Sequence, residues 1–313
     1  MILKEPMRFR NAILFMALAV AWGSAFTAIK TGLEFFPPVL FAAFRYDIAG
    51  VLMLGYAVYV TDRWIPRSRN EWVLVGIGGA FMIAAYHAFL FIGEQGTTSA
   101  AAAIIVSLSP ILTTGFARAF LSGERLTGIG IVGLLIGFIG VGILSSPDPN
   151  NLLDTRTVSM FLVFLAAASF ALGSVLTRRV DGELPIETME AWSMLIGALL
   201  MHGASMALAE SVSDVQWTGE AILSLFYLVL VASALGFLIY FDLLKRLGPI
   251  EINLVSYAAP VVAAVTGLLF LNETPTAYTV VGFVLILSGF TLLKRDALQA
   301  EFSRLQLFSE SSK

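Results

Sequence analysis

Two histidines, no cysteine and a sparse scatter of charges are the reactive groups available in these 313 residues. Without cysteine there is no disulfide, thiolate nucleophile or Cys-ligated metal. His87 and His202 stand in no spaced cluster, so neither a metal site nor a cofactor is expected. What remains is a set of polar and aromatic groups embedded in long apolar runs. Arg45 and Asp47 are ionisable groups inside one such run, where charge is costly and marks function first. Two residues apart on a helix, they point to nearly opposite sides. Arg45 reads as a structural arginine that satisfies carbonyls or snorkels outward. Asp47 reads as a proton site or as a hydrogen-bonded structural carboxylate. Tyr86 and His87 set a phenol beside an imidazole; their directions diverge by about 100°, so one is expected to touch a substrate while the other braces a helix.

At comparable depth lie Trp22, Ser24, Ser107, Ser109 and Ser169, then Ser233, Phe237, Tyr240, Asn253, Ser256 and Tyr257. They offer hydroxyls and aromatic faces with few fixed charges, which suits a small amphipathic or aromatic zwitterion. An ammonium over such rings gains about 0.5–2 kcal/mol. Pro110 and Pro260 fall mid-run, where a proline frees a carbonyl and permits a kink, so they read as paired hinges or as passive packing.

The elements that position these groups must be membrane helices. The chain is 58% hydrophobic and 13% charged, with mean hydropathy +0.86, whereas a soluble domain carries about a quarter charged residues. A soluble enzyme and a disordered chain are both excluded. A net charge of −3 gives no footprint for nucleic acid. A spanning helix needs about 20 apolar residues. Ten runs qualify: Ile13–Lys30, Pro38–Val60, Trp72–Ile92, Ser99–Leu121 and Gly128–Leu144, then Val158–Thr177, Thr188–Leu208, Glu220–Leu244, Ile250–Leu271 and Thr276–Leu293. The runs are unbroken rather than alternating, which argues against a β-barrel. Met1–Asn11 with Lys4, Arg8 and Arg10 resembles a signal-peptide start, but the long run behind it reads as an uncleaved first span.

With the N-terminus cytoplasmic, every basic residue except Lys30, Arg45 and Arg156 falls on the inner side. Glu34, Glu94, Asp148, Asp154, Glu210 and Asp214 fall outside. This positive-inside bias supports ten spans in the cell membrane with both termini cytoplasmic.

The break Ser145–Thr157 divides two similar halves. Glu124 and Glu273, Gly133 and Gly282, and Gly140 and Gly289 are each 149 residues apart, and the two prolines 150. Five spans per copy is odd, so the copies enter the membrane in opposite orientation, the architecture of alternating-access transporters. The expected fold is an all-α integral membrane protein of ten transmembrane helices. Residues 11–144 and 158–293 are the inverted five-helix repeats, and 294–313 a cytoplasmic tail. Glu124 and Glu273 close equivalent spans and read as caps of the following helices, with gating or coupling as the alternative. The glycines of the fifth and tenth spans fit close helix contact.

The stretch Ala21-Trp22-Gly23-Ser24-Ala25-Phe26 running to Lys30, together with Phe44-Arg45-Tyr46 and Ser109-Pro110, resembles the EamA branch of the drug/metabolite transporter superfamily. Gly123-Glu124-Arg125-Leu126-Thr127 and Ala259-Pro260 through Glu273 complete the resemblance, which covers most of residues 11–293. It implies a ten-helix cytoplasmic-membrane carrier, often exporting amino acids, metabolites or toxic analogues. It further implies that the first, third, fourth, sixth, eighth and ninth spans line the cavity, while the fifth and tenth can serve homodimer contacts. Glu251, where a small residue is more usual, joins Asp47 as a candidate for coupling.

The function expected is a secondary transporter that exports amino acids or related small metabolites, with a small-molecule substrate and the lipid bilayer as its partners. An intramembrane enzyme is the alternative, but no GxSxG, HExxH or paired-aspartate motif is present. A membrane receptor is the other; an inverted duplication has no purpose there. No P-loop is present to couple ATP.

Overall fold

A computed structural model of the chain describes residues 5–121, 128–146, 151, 153–293 and 295. Each of the ten apolar runs coincides with a helix: α1 (Glu5–Gly32), α2 (Pro38–Val60), α3 (Arg69–Glu94), α4 (Ser99–Phe120) and α5 (Gly128–Ser145). The second half holds α6 (Thr155–Thr177), α7 (Ile186–Ala207), α8 (Gly219–Leu247), α9 (Glu251–Leu271) and α10 (Ala277–Leu293). Eight of these are long and apolar enough to cross a membrane by length and composition; the others are α7, with 22 residues, and α10, with 17. The helices outrun the apolar stretches at several ends, because backbone groups need partners beyond the point where hydrophobic side chains stop.

Local sequence sets the helix ends. Ser68 and Glu71 form a capping box at the start of α3, and Thr98 and Thr218 cap α4 and α8 through Ala101 N and Ala221 N. Asp154 caps α6, accepting from Thr157 N at 2.8 Å, and hydrogen bonding at Thr157 holds its carboxyl below the usual carboxylate range. Glu210 accepts from the backbone N–H groups of Val39 and Leu40 at 3.1 and 2.8 Å, capping α2 from a distant loop. Glu273 likewise accepts from Ser99 N at 2.9 Å. It thus caps α4 rather than the following helix α10, a correction to the sequence reading: helix packing brings α4 nearer to its carboxylate. Glu124 and most of the 294–313 tail lie outside the described residues.

The largest helix pairings repeat when each helix is shifted by five places. Helix α1 packs on α9 as α6 packs on α4; α3 packs on α6 and α7 as α8 packs on α1 and α2. Helices α2 and α7 pair with each other, as do α5 and α10. The polar contacts sort into two ends. At one, Thr188 Oγ1 donates to Arg63 O, Trp192 Nε1 to Trp64 O and Asn70 Nδ2 to Asp181 O, at 2.8–2.9 Å. Lys245 pairs there with Glu187 at 2.7 Å. At the other, Gln216 N donates to Phe35 O, and Lys30 reaches the loop between α3 and α4.

Helices α5 and α10 approach closely at paired glycines. A Cβ on Gly133 would lie 2.5 Å from Gly289 O, and one on Gly289 equally close to Gly133 O; Gly140 and Gly282 repeat the arrangement at 2.9 Å. The glycine faces are therefore occupied within the chain, and the outer faces carry Ile131, Leu135, Ile139, Val281 and Val284. Gly133→Ala or Gly289→Ala should force these backbones apart and cost about 1–3 kcal/mol. Gly142→Ala on α5, whose new methyl meets nothing within 4 Å, serves as control. Thermal unfolding in detergent should show a lowered midpoint for the first two alone; equal midpoints would refute the close approach.

Candidate functional site

The site is organised by two interruptions of α-helical winding. Gly78–Ala85 in α3 and Tyr227–Leu235 in α8 are π-helical. Their first residues are 149 apart, the same offset as the repeated glutamates and glycines. A π segment shifts the hydrogen-bond register and rotates the helix beyond it, and such segments concentrate at functional sites. Tyr86 and His87 come directly after the first, and Gly236 directly after the second.

His87 is buried and engaged on both ring nitrogens. Nδ1 lies 2.8 Å from Ile83 O, within the π segment, and Nε2 lies 2.7 Å from the Tyr46 hydroxyl. A carbonyl only accepts, so Nδ1 carries the proton and the phenol donates to Nε2. Tyr86 stands edge-on to the imidazole at 4.5 Å and contacts Phe170 of α6 at 5.5 Å. Arg45 does not snorkel outward. Its Nε donates to Ser233 Oγ at 3.0 Å, and its guanidinium carbon lies 5.1 Å from the Tyr46 ring centre. The side chain turns inward because the α8 π segment presents a hydroxyl there.

Trp22 reaches the same segment from α1, donating from Nε1 to Ala232 O at 3.1 Å. Its indole packs over Gly236, where a Cβ would lie 2.7 Å from Nε1. It meets Phe237 at 6.0 Å and Tyr240 at 5.5 Å. Ser24 Oγ bonds the Tyr227 hydroxyl at 2.5 Å. Ser169 makes the counterpart of the Trp22 contact, donating to Phe81 O in the α3 π segment at 2.9 Å. Glu190 lies on α7, which packs along α2, the helix of Arg45 and Tyr46. The structure thus gathers Trp22, Ser24, Tyr86, His87, Ser169, Phe237 and Tyr240 around the two π segments. It adds Tyr46, Ser233, Arg45 and Glu190.

Other residues sit apart. Tyr257 packs on Phe290 of α10 with ring centres 4.4 Å apart and planes tilted by 36°, and its hydroxyl is buried without a partner among the described residues. Asn253 is exposed, in the short helical segment Pro249–Asn253 that also holds Glu251. Ser109 Oγ donates to Val106 O at 2.7 Å across a break at Ser107 and Leu108. Pro110 lies directly after that break, where its missing N–H costs nothing, whereas Pro260 lies inside the helical run Val255–Leu271. Asp47 pairs with His202 at 2.7 Å, both partly exposed, across α2 and α7. No group of three or more His, Asp or Glu suited to a metal occurs among the described residues.

Tyr46 stands beside Arg45 in the sequence, but its phenol gains meaning only from its distance to His87. Glu190 is a carboxylate near the start of an apolar run, and intramembrane cost is the one sequence signal that points to it.

Comparison with known proteins agrees with this architecture. The model of the EamA-like transporter family matches residues 10–146 and 157–295. A "Probable amino-acid metabolite efflux pump" of Salmonella typhimurium is 30% identical, over 90% of this chain and 93% of that protein. An uncharacterized transporter of Archaeoglobus fulgidus is also 30% identical, over 90% and 97%. The Bacillus subtilis transporter YvbV is 26% identical over 93% of both. A crystal structure at 24% identity superposes with a TM-score of 0.62 over 91% of this chain and 97% of that one, which shows the shared fold. The chain belongs to the EamA-like transporter family and is a multi-pass membrane protein.

Proposed function

We propose that the protein is a secondary carrier exporting amino acids or related small metabolites by alternating access. Ten membrane helices in two inverted five-helix repeats would enclose a central cavity, in the cell membrane, with both termini cytoplasmic. The observation that carries this reading is the buried polar and aromatic cluster at the paired π segments. Its support is the exchange of helix contacts between halves, and the basic loops Arg63–Arg69, Arg178–Arg179 and Lys245–Arg246 gathered at one end. The Salmonella relative's name supports the substrate class.

Arg45 suits a substrate carboxylate, and a charge-assisted hydrogen bond contributes about 1.5–3 kcal/mol. Trp22, Phe237 and Tyr240 offer faces to an ammonium or an aromatic side chain. Tyr86 and His87 complete the wall, while Ser109, Asn253 and Tyr257 would join only through helix movement. Pro110 and Pro260 act as hinges in that movement, and Asp47 and Glu251 are coupling groups. A homodimer would use the outer faces of α5 and α10.

Flux of labelled amino acids through proteoliposomes of the intact chain tests the reading. His87→Ala and Trp22→Ala should each weaken apparent affinity about thirtyfold, the equivalent of about 2 kcal/mol. Unchanged affinity in folded variants would move the site elsewhere. Pro110→Ala and Pro260→Ala should slow turnover more than they lower expression, and a fully active double variant would end the hinge role. Because the chain has no cysteine, Ser68→Cys should label only from the cytoplasm and Ser213→Cys only from outside. Labelling of both from one side would break the inverted arrangement.

A further inference from the structure

The end of the molecule opposite the basic loops holds a carboxylate that the transport site does not use. Glu94, the last residue of α3, is 0% exposed, and both its carboxylate oxygens lack a hydrogen-bond partner among the described residues. Close by in the chain, the Thr97 and Ser99 hydroxyls are buried and equally without partners. Lys30 does not satisfy Glu94. Its ammonium has three N–H donors, and it bonds three backbone carbonyls: Glu94 O at 2.8 Å, Gln95 O at 2.9 Å and Thr97 O at 2.9 Å. Glu273 uses Oε2 on Ser99 N. Lys30, on the Glu94 carbonyl, and Glu273, on Ser99 N, are the charged groups that reach this segment from other elements. Arg156 of α6 joins Lys30, Thr97 and Glu273 in lining a cavity of about 470 Å³ at this end.

An ionised carboxylate here would be buried with neither oxygen accepting a hydrogen bond. The neutral acid carries a much smaller burial cost. A metal cation is disfavoured, because the Lys30 ammonium already occupies the carbonyls at the α3 terminus. We propose that Glu94 is a proton-binding site, loaded when this end closes and Lys30 seats on the α3 carbonyls. Opening lifts Lys30 from the carbonyls and lets water in, and the proton leaves a carboxylate that Lys30 can then pair. Proton release and uptake at Glu94 would thereby be tied to opening and closing of this end. The coupling rests on the alternating-access reading above; the protonation of Glu94 does not.

Two measurements on the full chain separate these parts. Infrared difference spectra of the detergent-purified protein at neutral pH should contain a protonated-carboxyl band that Glu94→Gln removes and Glu94→Asp shifts. Identical spectra in wild type and the folded variant would overturn the site, and the Asp variant decides should the Gln variant not fold. Ala101 is buried against the cavity, so Ala101→Cys reports opening, and exposed Ser213→Cys corrects for thiolate reactivity. Their labelling ratio should rise about tenfold from mildly acidic to mildly alkaline buffer, a shift of about 1.4 kcal/mol, and stay flat with Glu94→Gln. A flat ratio in the wild-type background, or the same rise without Glu94, would overturn the coupling while leaving the infrared result standing.

Discussion

A backbone carbonyl that loses its helical partner inside an apolar bundle must find another donor, or it costs about 1–3 kcal/mol. Each π segment shifts the hydrogen-bond register, and side-chain donors reach its carbonyls. Trp22 supplies the donor at Ala232, Ser169 at Phe81 and His87 at Ile83. Two of these donors belong to the first helix of the opposite half of the chain, so these bonds cross-link the halves. The remaining chemistry of the site depends on them: His87 is oriented by Ile83, which leaves Nε2 for Tyr46, and Tyr46 lies under Arg45.

Away from the site, the fold is held by contacts that leave little room for alternatives. Glycine brings α5 and α10 together within the chain. The α7 start is bound to the α2–α3 loop by Thr188 and Trp192, and the other end is fastened by Lys30, Glu210 and Glu273. The two ends use different chemistry: side chains on backbone carbonyls plus ion pairs at the basic end, carboxylates on helix N-termini and an ammonium on carbonyls at the other. Each end is thus held by its own small set of hydrogen bonds and ion pairs.

The helices are legible in the sequence because hydrophobic length is a sufficient signal in a membrane, and the 149-residue offset of its glutamates and glycines recurs in the starts of the π segments. The π segments themselves are not legible there. They consist of ordinary apolar residues, GGAFMIAA and YLVLVASAL, whose winding depends on neighbours arriving with donors. Trp22, Phe237 and Tyr240 stand out as aromatics at one depth, and the structure gathers them. Tyr257 has the same depth but the opposite rotation, toward Phe290, which depth alone does not reveal. The inward turn of Arg45 depends on a hydroxyl 188 residues away. Glu94 reads in the sequence as one more outer acidic residue, since exposure at a helix end is set by packing and not by residue type.

The central claim is that the cluster around Arg45, Tyr46 and His87 receives a zwitterion. Thermal stabilisation of the purified protein by a panel of free amino acids and nucleobases tests it most directly. A subset of amino acids should raise the unfolding midpoint in a concentration-dependent way, and Arg45→Gln should abolish that rise while leaving the unliganded protein folded. Stabilisation that persists undiminished in folded Arg45→Gln, or that comes from nucleobases and not from amino acids, would contradict the account.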